Sequence, residues 1–212
     1  MTTACTPSAL RTWSGAWLRA TAVLLALCSA PASMAQTTPE VPEITALPTQ
    51  LQVHNQTLQR NGAGVRYKAI FRVYAAALYL EKPAKTLEEI GQLQGPKRVT
   101  VRMLRNINAS ELGKLFAHGM EDNMDKQQFS KLIPGVMRMS DVFNRHKELK
   151  TGDQFTLDWI PEQGMVLSIN GQADPAEFKE PEFFQAMLGI WLGPKPADGR
   201  LKSALLGTSP MP

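Results

Sequence analysis

Cysteine is nearly absent from this sequence: the only two, Cys5 and Cys28, lie near its start. Arg11 and Arg19 form a positive region there, and the apolar run that follows, residues 21–30, is too short to span a bilayer. Small residues then precede a signal-peptidase site, so we expect a signal peptide over residues 1–35, cut after Ala35. The exported chain has no cysteine, which excludes disulfides and leaves its stability to the core.

The same region predicts where the protein works. Leu27 is too large for the residue that precedes a lipidated cysteine, which favours a soluble periplasmic product over a lipid-anchored one. An uncleaved anchor helix is the less favoured alternative. We therefore expect no stable membrane insertion once the signal peptide is removed.

An excess of charge of one sign is also missing. The chain has 23 Lys and Arg against 19 Asp and Glu. Without Arg11 and Arg19 the cations number 21, so the exported chain carries about +2 (21 − 19). No long basic run is present, and we expect no nucleic-acid partner. The three histidines, His54, His118 and His146, are too far apart for a metal-ligand spacing, so no metal is expected. We expect no organic cofactor either.

The pattern along the chain predicts one α+β domain. Residues 36–49 hold three prolines and little periodicity, and we expect a flexible lead-in there, followed by the domain over residues 50–208. Turn signals at 54–56, 161–164 and 170–171 predict hairpins. Asn108 and Glu111 predict a helix start, and Pro134 is expected to kink or restart a later helix. Strands, a helical middle, a strand meander and closing helices are an α+β order.

The segment from Asn61 to Glu81 carries the main functional signal. After a glycine pair, Arg66 begins an alternating stretch, which we interpret as one strand that becomes apolar on both faces from Tyr74 to Leu80. A guanidinium cannot be deprotonated and offers a planar fork of donors. Beside an apolar layer, Arg66 therefore predicts a pocket for an amphipathic anion. The plainer alternative is a solvated strand face of Arg66, Lys68 and Arg72.

Five segments, in order and spacing, also carry a family resemblance: NGAGVR (61–66), VYAAALYLE (73–81), LRNINASEL (104–112), GIWLGPKP (189–196) and LKSALLG (201–207). They resemble the chalcone isomerase superfamily, and more closely its bacterial exported chalcone-isomerase-like branch. The resemblance implies an open-faced β-sandwich, in which helices cover one face of a large antiparallel sheet and a ligand cleft lies between the layers. Some members cyclise chalcones, and others bind fatty acids with the same arginine.

The resemblance also implies which residues line the cleft. Arg66 matches the family arginine, and Tyr74 falls where the plant enzymes have a threonine. Phe129, Val136 and Phe184 fall where those enzymes have a tyrosine, an asparagine and a serine or threonine. One of five polar positions is thus kept, one is altered and three are apolar. The predicted ligand-binding residues are Arg66, Tyr74, Phe129, Val136 and Phe184, of which Arg66 and Tyr74 are catalytic only if the protein is an enzyme.

Three functions stay open at this point. The loss of polar donors favours a binder of a small amphipathic anion, fatty-acid-like or phenolic, anchored by Arg66. The second is an active isomerase, an intramolecular lyase acting on a chalcone or another enone. The third is a structural or partner-binding protein whose cleft is filled by Tyr74, Phe129 and Phe184. The pattern predicts no particular oligomeric state.

Overall fold

A seven-stranded antiparallel sheet organises the part of the chain that the computed structural model describes, residues 42–208. The predicted signal peptide and residues 36–41 lie outside the described residues. The strands are β1 (Gln50–Val53), β2 (Gln56–Lys68), β3 (Phe71–Leu80), β4 (Lys97–Met103), β5 (Ile107–Asn108), β6 (Glu148–Leu149), β7 (Gln154–Ile160), β8 (Gly164–Ile169) and β9 (Gln172–Ala173). The order in the large sheet is β1-β2-β3-β4-β7-β8-β9, and β5 pairs with β6 separately.

Six helices accompany the sheet within the described residues. They are α1 (Pro42–Thr45), α2 (Leu87–Gln92), α3 (Ala109–Asp122), α4 (Lys126–Asn144), α5 (Pro181–Leu192) and α6 (Gly199–Leu205). The predicted helix start is confirmed, since the Asn108 side chain accepts a hydrogen bond from the Glu111 amide at 3.1 Å. Across residues 42–208, none of the helices combines the length and the apolarity that crossing a membrane requires.

Helices α3, α4 and α5 cover one face of the sheet and enclose the main core. Edge-to-face ring contacts tie the layers together, with Phe116 of α3 at 5.6 Å from both Phe143 of α4 and Phe155 of β7. The predicted α+β architecture, a large antiparallel sheet with helices on one face, is therefore confirmed. The predicted hairpins at 54–56, 161–164 and 170–171 are confirmed as well.

A second, smaller core lies on the opposite face of the sheet. Ile44 and Leu47 are buried there against strand residues that include Tyr79. The Tyr79 hydroxyl donates to the Pro48 carbonyl at 3.0 Å, and Arg60 donates to the Leu47 carbonyl at 2.8 Å. The expectation of a flexible lead-in up to residue 49 is therefore wrong for residues 42–49, because two apolar side chains hold that stretch on the sheet.

The stretch expected to be one strand from Val65 to Leu80 is a hairpin. Strand β2 ends at Lys68 and β3 begins at Phe71. Ala69 makes the turn with a φ of 55°, a left-handed conformation that alanine seldom adopts. The turn lacks glycine, asparagine and proline, so the alternation runs through it without a signal. This correction decides the geometry of the site described below.

Helix α4 passes through Pro134 without restarting. The proline lies on the exposed side, while its neighbours Leu132 and Gly135 are buried. A β-carbon at Gly135 would lie 2.5 Å from the Phe183 ring, so α4 and α5 approach closely there. Packing on both sides of the proline thus keeps the helix continuous, so of the two outcomes expected at Pro134, a kink or a restart, the restart does not occur.

Candidate functional site

Arg66 and Tyr74 face each other across the β2–β3 hairpin as a direct cross-strand pair. In one continuous strand, eight residues would separate them by about 26 Å, at 3.3 Å per residue. The turn at Ala69 instead places the guanidinium carbon 5.6 Å from the centre of the tyrosine ring. Such a contact is within cation–π range. The hairpin therefore brings together the two residues that the sequence analysis put first.

Tyr74 is fixed by a hydrogen bond from the helical layer. Its hydroxyl oxygen accepts the Trp191 indole N–H at 2.8 Å, and the two side chains are 3% and 1% exposed. Burial raises the pKa of Tyr74 to about 12, although Arg66 and the indole donor act in the opposite direction. The phenol is therefore neutral at physiological pH. Among the described residues no acceptor takes its own proton, which is free to be donated into the site.

Arg66 has an unused donor. Its Nε is buried and has no hydrogen-bond partner. No carboxylate of residues 42–208 lies within ion-pair distance of its guanidinium, in contrast to Arg72 on the same hairpin, which pairs with Glu43. A buried donor attached to a charged group is costly when it has no acceptor. An anionic oxygen placed beside Arg66 would remove that cost.

The two side chains line a cavity of about 160 Å³. Helix α3 supplies an apolar wall that includes Leu112 and Phe116, and Ile190 of α5 completes it. Leu115 lines the cavity and is 37% exposed, so the cavity reaches the surface at this point. His118 and Asp122 line the cavity from α3, with 3.4 Å between Nε2 and Oδ2.

A short loop after α5 closes the far side of the cavity. Lys195 to Ala197 line it, and the loop is held by Asn123, whose side chain bonds both the amide and the carbonyl of Lys195 at 2.7 and 2.9 Å. Asp198 then accepts the Tyr67 amide at 3.0 Å and caps α6. Lys195 is exposed and is the second cationic residue of the lining.

The glycine pair before Arg66 has a packing role. A β-carbon at Gly62 would lie 2.0 Å from the Ala204 carbonyl oxygen, and one at Gly64 would lie 2.8 Å from the Ala204 methyl carbon. The absence of side chains at these two glycines lets α6 pack closely against β2. The Asn61 side chain also donates to the Leu205 carbonyl of α6 at 2.8 Å. The motif thus positions α6 and the loop before it, and neither glycine lines the cavity.

The other three predicted site residues lie apart from Arg66. Phe184 is buried beside Trp159, with ring centres 5.7 Å apart, and lines a separate cavity of about 280 Å³. Phe129 and Val136 of α4 pack against the main core, and neither lines the Arg66 cavity. A larger groove of about 740 Å³, between α5 and the α3–α4 junction, includes none of the five predicted residues.

Several lining residues were not predicted as site residues. The stripe of Leu112, Leu115, Phe116 and Gly119 is visible in the sequence as one face of α3, but nothing in it indicates a cavity. His118, Asp122 and Lys195 carry no sequence signal at all. Within residues 42–208, no group of three His, Asp or Glu side chains is arranged to hold a metal ion.

Comparisons with known proteins agree with this fold. The model of the chalcone isomerase-like family matches residues 40–207. Among solved structures, a fatty-acid binding protein of Arabidopsis thaliana has a TM-score of 0.59 with this chain at 15% identity, covering 76% of this chain and 90% of the other. Comparison with curated protein sequences gave no match. The structural likeness establishes the chalcone isomerase-type fold.

Proposed function

Since this chain belongs to the chalcone isomerase-like family, we propose that its Arg66 cavity binds a small amphipathic anion. The observation that carries the proposal is the buried, unpartnered Arg66 Nε beside a Tyr74 hydroxyl with a proton to donate. A guanidinium and a phenol that line one cavity, opposite the apolar wall of α3, suit a carboxylate or phenolate head with an apolar body.

The size of the cavity limits the ligand. A cavity of about 150 Å³ holds a benzene ring, and the Arg66 cavity measures about 160 Å³. It therefore accommodates an aromatic acid, or the head and first carbons of a fatty acid. A longer acyl chain would leave past Leu115, where the cavity reaches the surface. The fatty-acid binding protein that shares this fold supports a ligand with a carboxylate head.

Paired ligands test the role of the charge. We would measure binding by calorimetry of laurate against dodecanol, and of cinnamate against cinnamyl alcohol, because each pair keeps the apolar body and removes the anion. Arg66→Ala is expected to weaken the anions by about 1.5–3 kcal/mol, the value of a hydrogen bond to a charged group. The alcohols should change much less, since they do not need a cation.

Two further variants sharpen the result. Arg66→Lys keeps the charge and loses the planar fork, so we expect an intermediate affinity. Arg72→Ala is the matched control, because Arg72 lies on the same hairpin, pairs with Glu43 and does not line the cavity. Unchanged anion affinity in Arg66→Ala, or an equal loss in Arg72→Ala, would show that Arg66 is not the anchor.

An isomerase is a second candidate, and the Arg66–Tyr74 pair is the observation that favours it. The two donors would stabilise an oxyanion during intramolecular ring closure of a chalcone or another enone. The absorbance of a hydroxychalcone distinguishes the candidates: an enzyme converts many equivalents, whereas a binder perturbs only a stoichiometric amount. Loss of turnover in Arg66→Ala and Tyr74→Phe would support the enzyme.

We also propose that the protein works in the periplasm. The support is the positive region, apolar run and small residues at the start of the chain. The intact mass of protein recovered from the periplasmic fraction tests this, with Gln36 expected as the first residue. Full-length protein in the cytoplasm would contradict the proposal.

A further inference from the structure

The tip of the β2–β3 hairpin exposes three large apolar side chains. Ile70 is 84% exposed, Phe71 54% and Tyr67 42%. They flank the turn at Ala69, so they project together from the end of two strands. Clustered exposed apolar side chains mark a surface that binds a partner.

Cations surround this tip. Lys68 lies within it, and the Arg105 guanidinium carbon lies 4.8 Å from the centre of the Phe71 ring. The depression beside the tip contains one carboxylate among its described lining residues, Glu43, and this group is paired with Arg72. Neither Lys68 nor Arg105 has a carboxylate of residues 42–208 within ion-pair distance. The tip is thus apolar at its end, with the cations Lys68 and Arg105 behind it and the Asp198 carboxylate on the Tyr67 amide at its α6 side.

We infer that this hairpin tip docks on a lipid bilayer that contains anionic phospholipids. Ile70 and Phe71 enter the acyl–headgroup boundary, while Lys68 and Arg105 lie at the level of the phosphates. A protein partner fits less well, because a stable protein interface uses about 20–30 residues a side. The tip spans only residues 67–72.

The position of the tip gives docking a consequence for the Arg66 cavity. Two cross-strand pairs, Tyr67–Arg72 and Lys68–Phe71, lie between the turn at Ala69 and the Arg66–Tyr74 pair. This is roughly 7 Å along the strands. Docking would therefore hold the cavity beside the lipid surface. The inference itself depends on the tip alone and not on which ligand the cavity binds.

Vesicle sedimentation tests the inference with the exported chain, its N terminus checked by intact mass. The vesicles are phosphatidylcholine with and without phosphatidylglycerol. Ile70→Ser/Phe71→Ser is expected to lower partitioning onto the anionic vesicles by about tenfold or more, from the loss of apolar burial. The matched control is Ile133→Ser/Met137→Ser on α4, whose side chains are 43% and 63% exposed. The control should stay within about twofold of the original chain.

A charge variant and a label complete the test. Lys68→Gln/Arg105→Gln should weaken binding to anionic vesicles by about fivefold per cation and leave binding to pure phosphatidylcholine unchanged. Because the exported chain is expected to lack cysteine, an environment-sensitive dye on Ile70→Cys reports the tip alone, with Met137→Cys as its control. We expect a blue shift on vesicles for the tip label only. No binding of the original chain, an equal loss in the α4 control, or a tip label that stays in water would overturn the inference.

Discussion

Replacing Tyr74 with phenylalanine removes one oxygen from the centre of the site and leaves the ring. The missing hydroxyl is the acceptor for the Trp191 indole N–H at 2.8 Å, and both side chains are almost fully buried. A buried donor without an acceptor costs about 1–3 kcal/mol. The ring against which Arg66 lies is kept, so the cation–π contact remains. We therefore expect Tyr74→Phe to lower the free energy of unfolding by about 1–3 kcal/mol.

Urea unfolding followed by tryptophan fluorescence measures this effect. The m value, the slope of the unfolding free energy against urea concentration, should not change. Tyr67→Phe is the matched control, because the Tyr67 ring is 42% exposed and its hydroxyl has no hydrogen bond within residues 42–208. The control should change stability by no more than about 0.5 kcal/mol. If Tyr74→Phe is as stable as the original chain, the Tyr74–Trp191 hydrogen bond does not stabilise the fold.

A double-mutant cycle separates the hydrogen bond from the loss of packing. Trp191→Phe removes the donor, so in that background Tyr74→Phe no longer leaves a buried N–H without an acceptor. We expect Tyr74→Phe to cost at least about 1 kcal/mol less in the Trp191→Phe background than alone. Equal costs in the two backgrounds would contradict a direct coupling between these side chains.

Two more predictions concern ionisation and packing. Burial raises the pKa of both Tyr74 and Tyr79 from 10.0 to about 12, so the folded state keeps two protons that the unfolded chain loses above pH 10. Their contribution to stability is complete below about pH 10 and falls as the pH rises towards 12. Ultraviolet titration of tyrosine ionisation checks this prediction. Ionisation of Tyr74 or Tyr79 near pH 10 in the folded protein would contradict it. Gly62→Ala should destabilise by about 2 kcal/mol or more, because its β-carbon meets the Ala204 carbonyl oxygen. Gly199→Ala, with no atom within 4 Å, should be neutral or stabilising by up to about 1 kcal/mol in the same thermal unfolding assay.

Local signals were enough to predict most elements of the fold. Asn108 caps α3 through the Glu111 amide, as the spacing of the two residues predicts. The β1–β2 turn at His54 and Asn55 uses positive φ angles of 45° and 64°, which suit a tight hairpin. The β2–β3 turn was missed because its left-handed residue is Ala69, which sequence rules do not associate with turns. The pairing of the flanking strands holds that conformation.

The five residues proposed for the site do not all line one cavity, because their placement depended on different kinds of information. Arg66 and Tyr74 were identified from one nearly continuous stretch of the chain, which can be matched to the family without insertions. Phe129, Val136 and Phe184 were placed by matching separate helices to distant relatives, and the structure puts them outside the Arg66 cavity. The role of Gly62 in accommodating α6 depends on a contact with Ala204, 142 residues away (204 − 62), which no local pattern encodes.

The chemistry of the lining favours holding an anion over transforming it. A general acid works best with a pKa near the operating pH, and burial takes the pKa of Tyr74 far above it, so the phenol is a hydrogen-bond donor. His118 lines the cavity, but its side chain is 71% exposed at the rim. Arg66 and Tyr74 would stabilise a resting carboxylate or phenolate about as well as a developing oxyanion, and interactions of equal strength in both states do not raise a rate constant. A chalcone would therefore cyclise here only if Arg66 and Tyr74 bound the developing oxyanion more tightly than the resting anion, and Arg66→Ala or Tyr74→Phe would then lower turnover more than affinity.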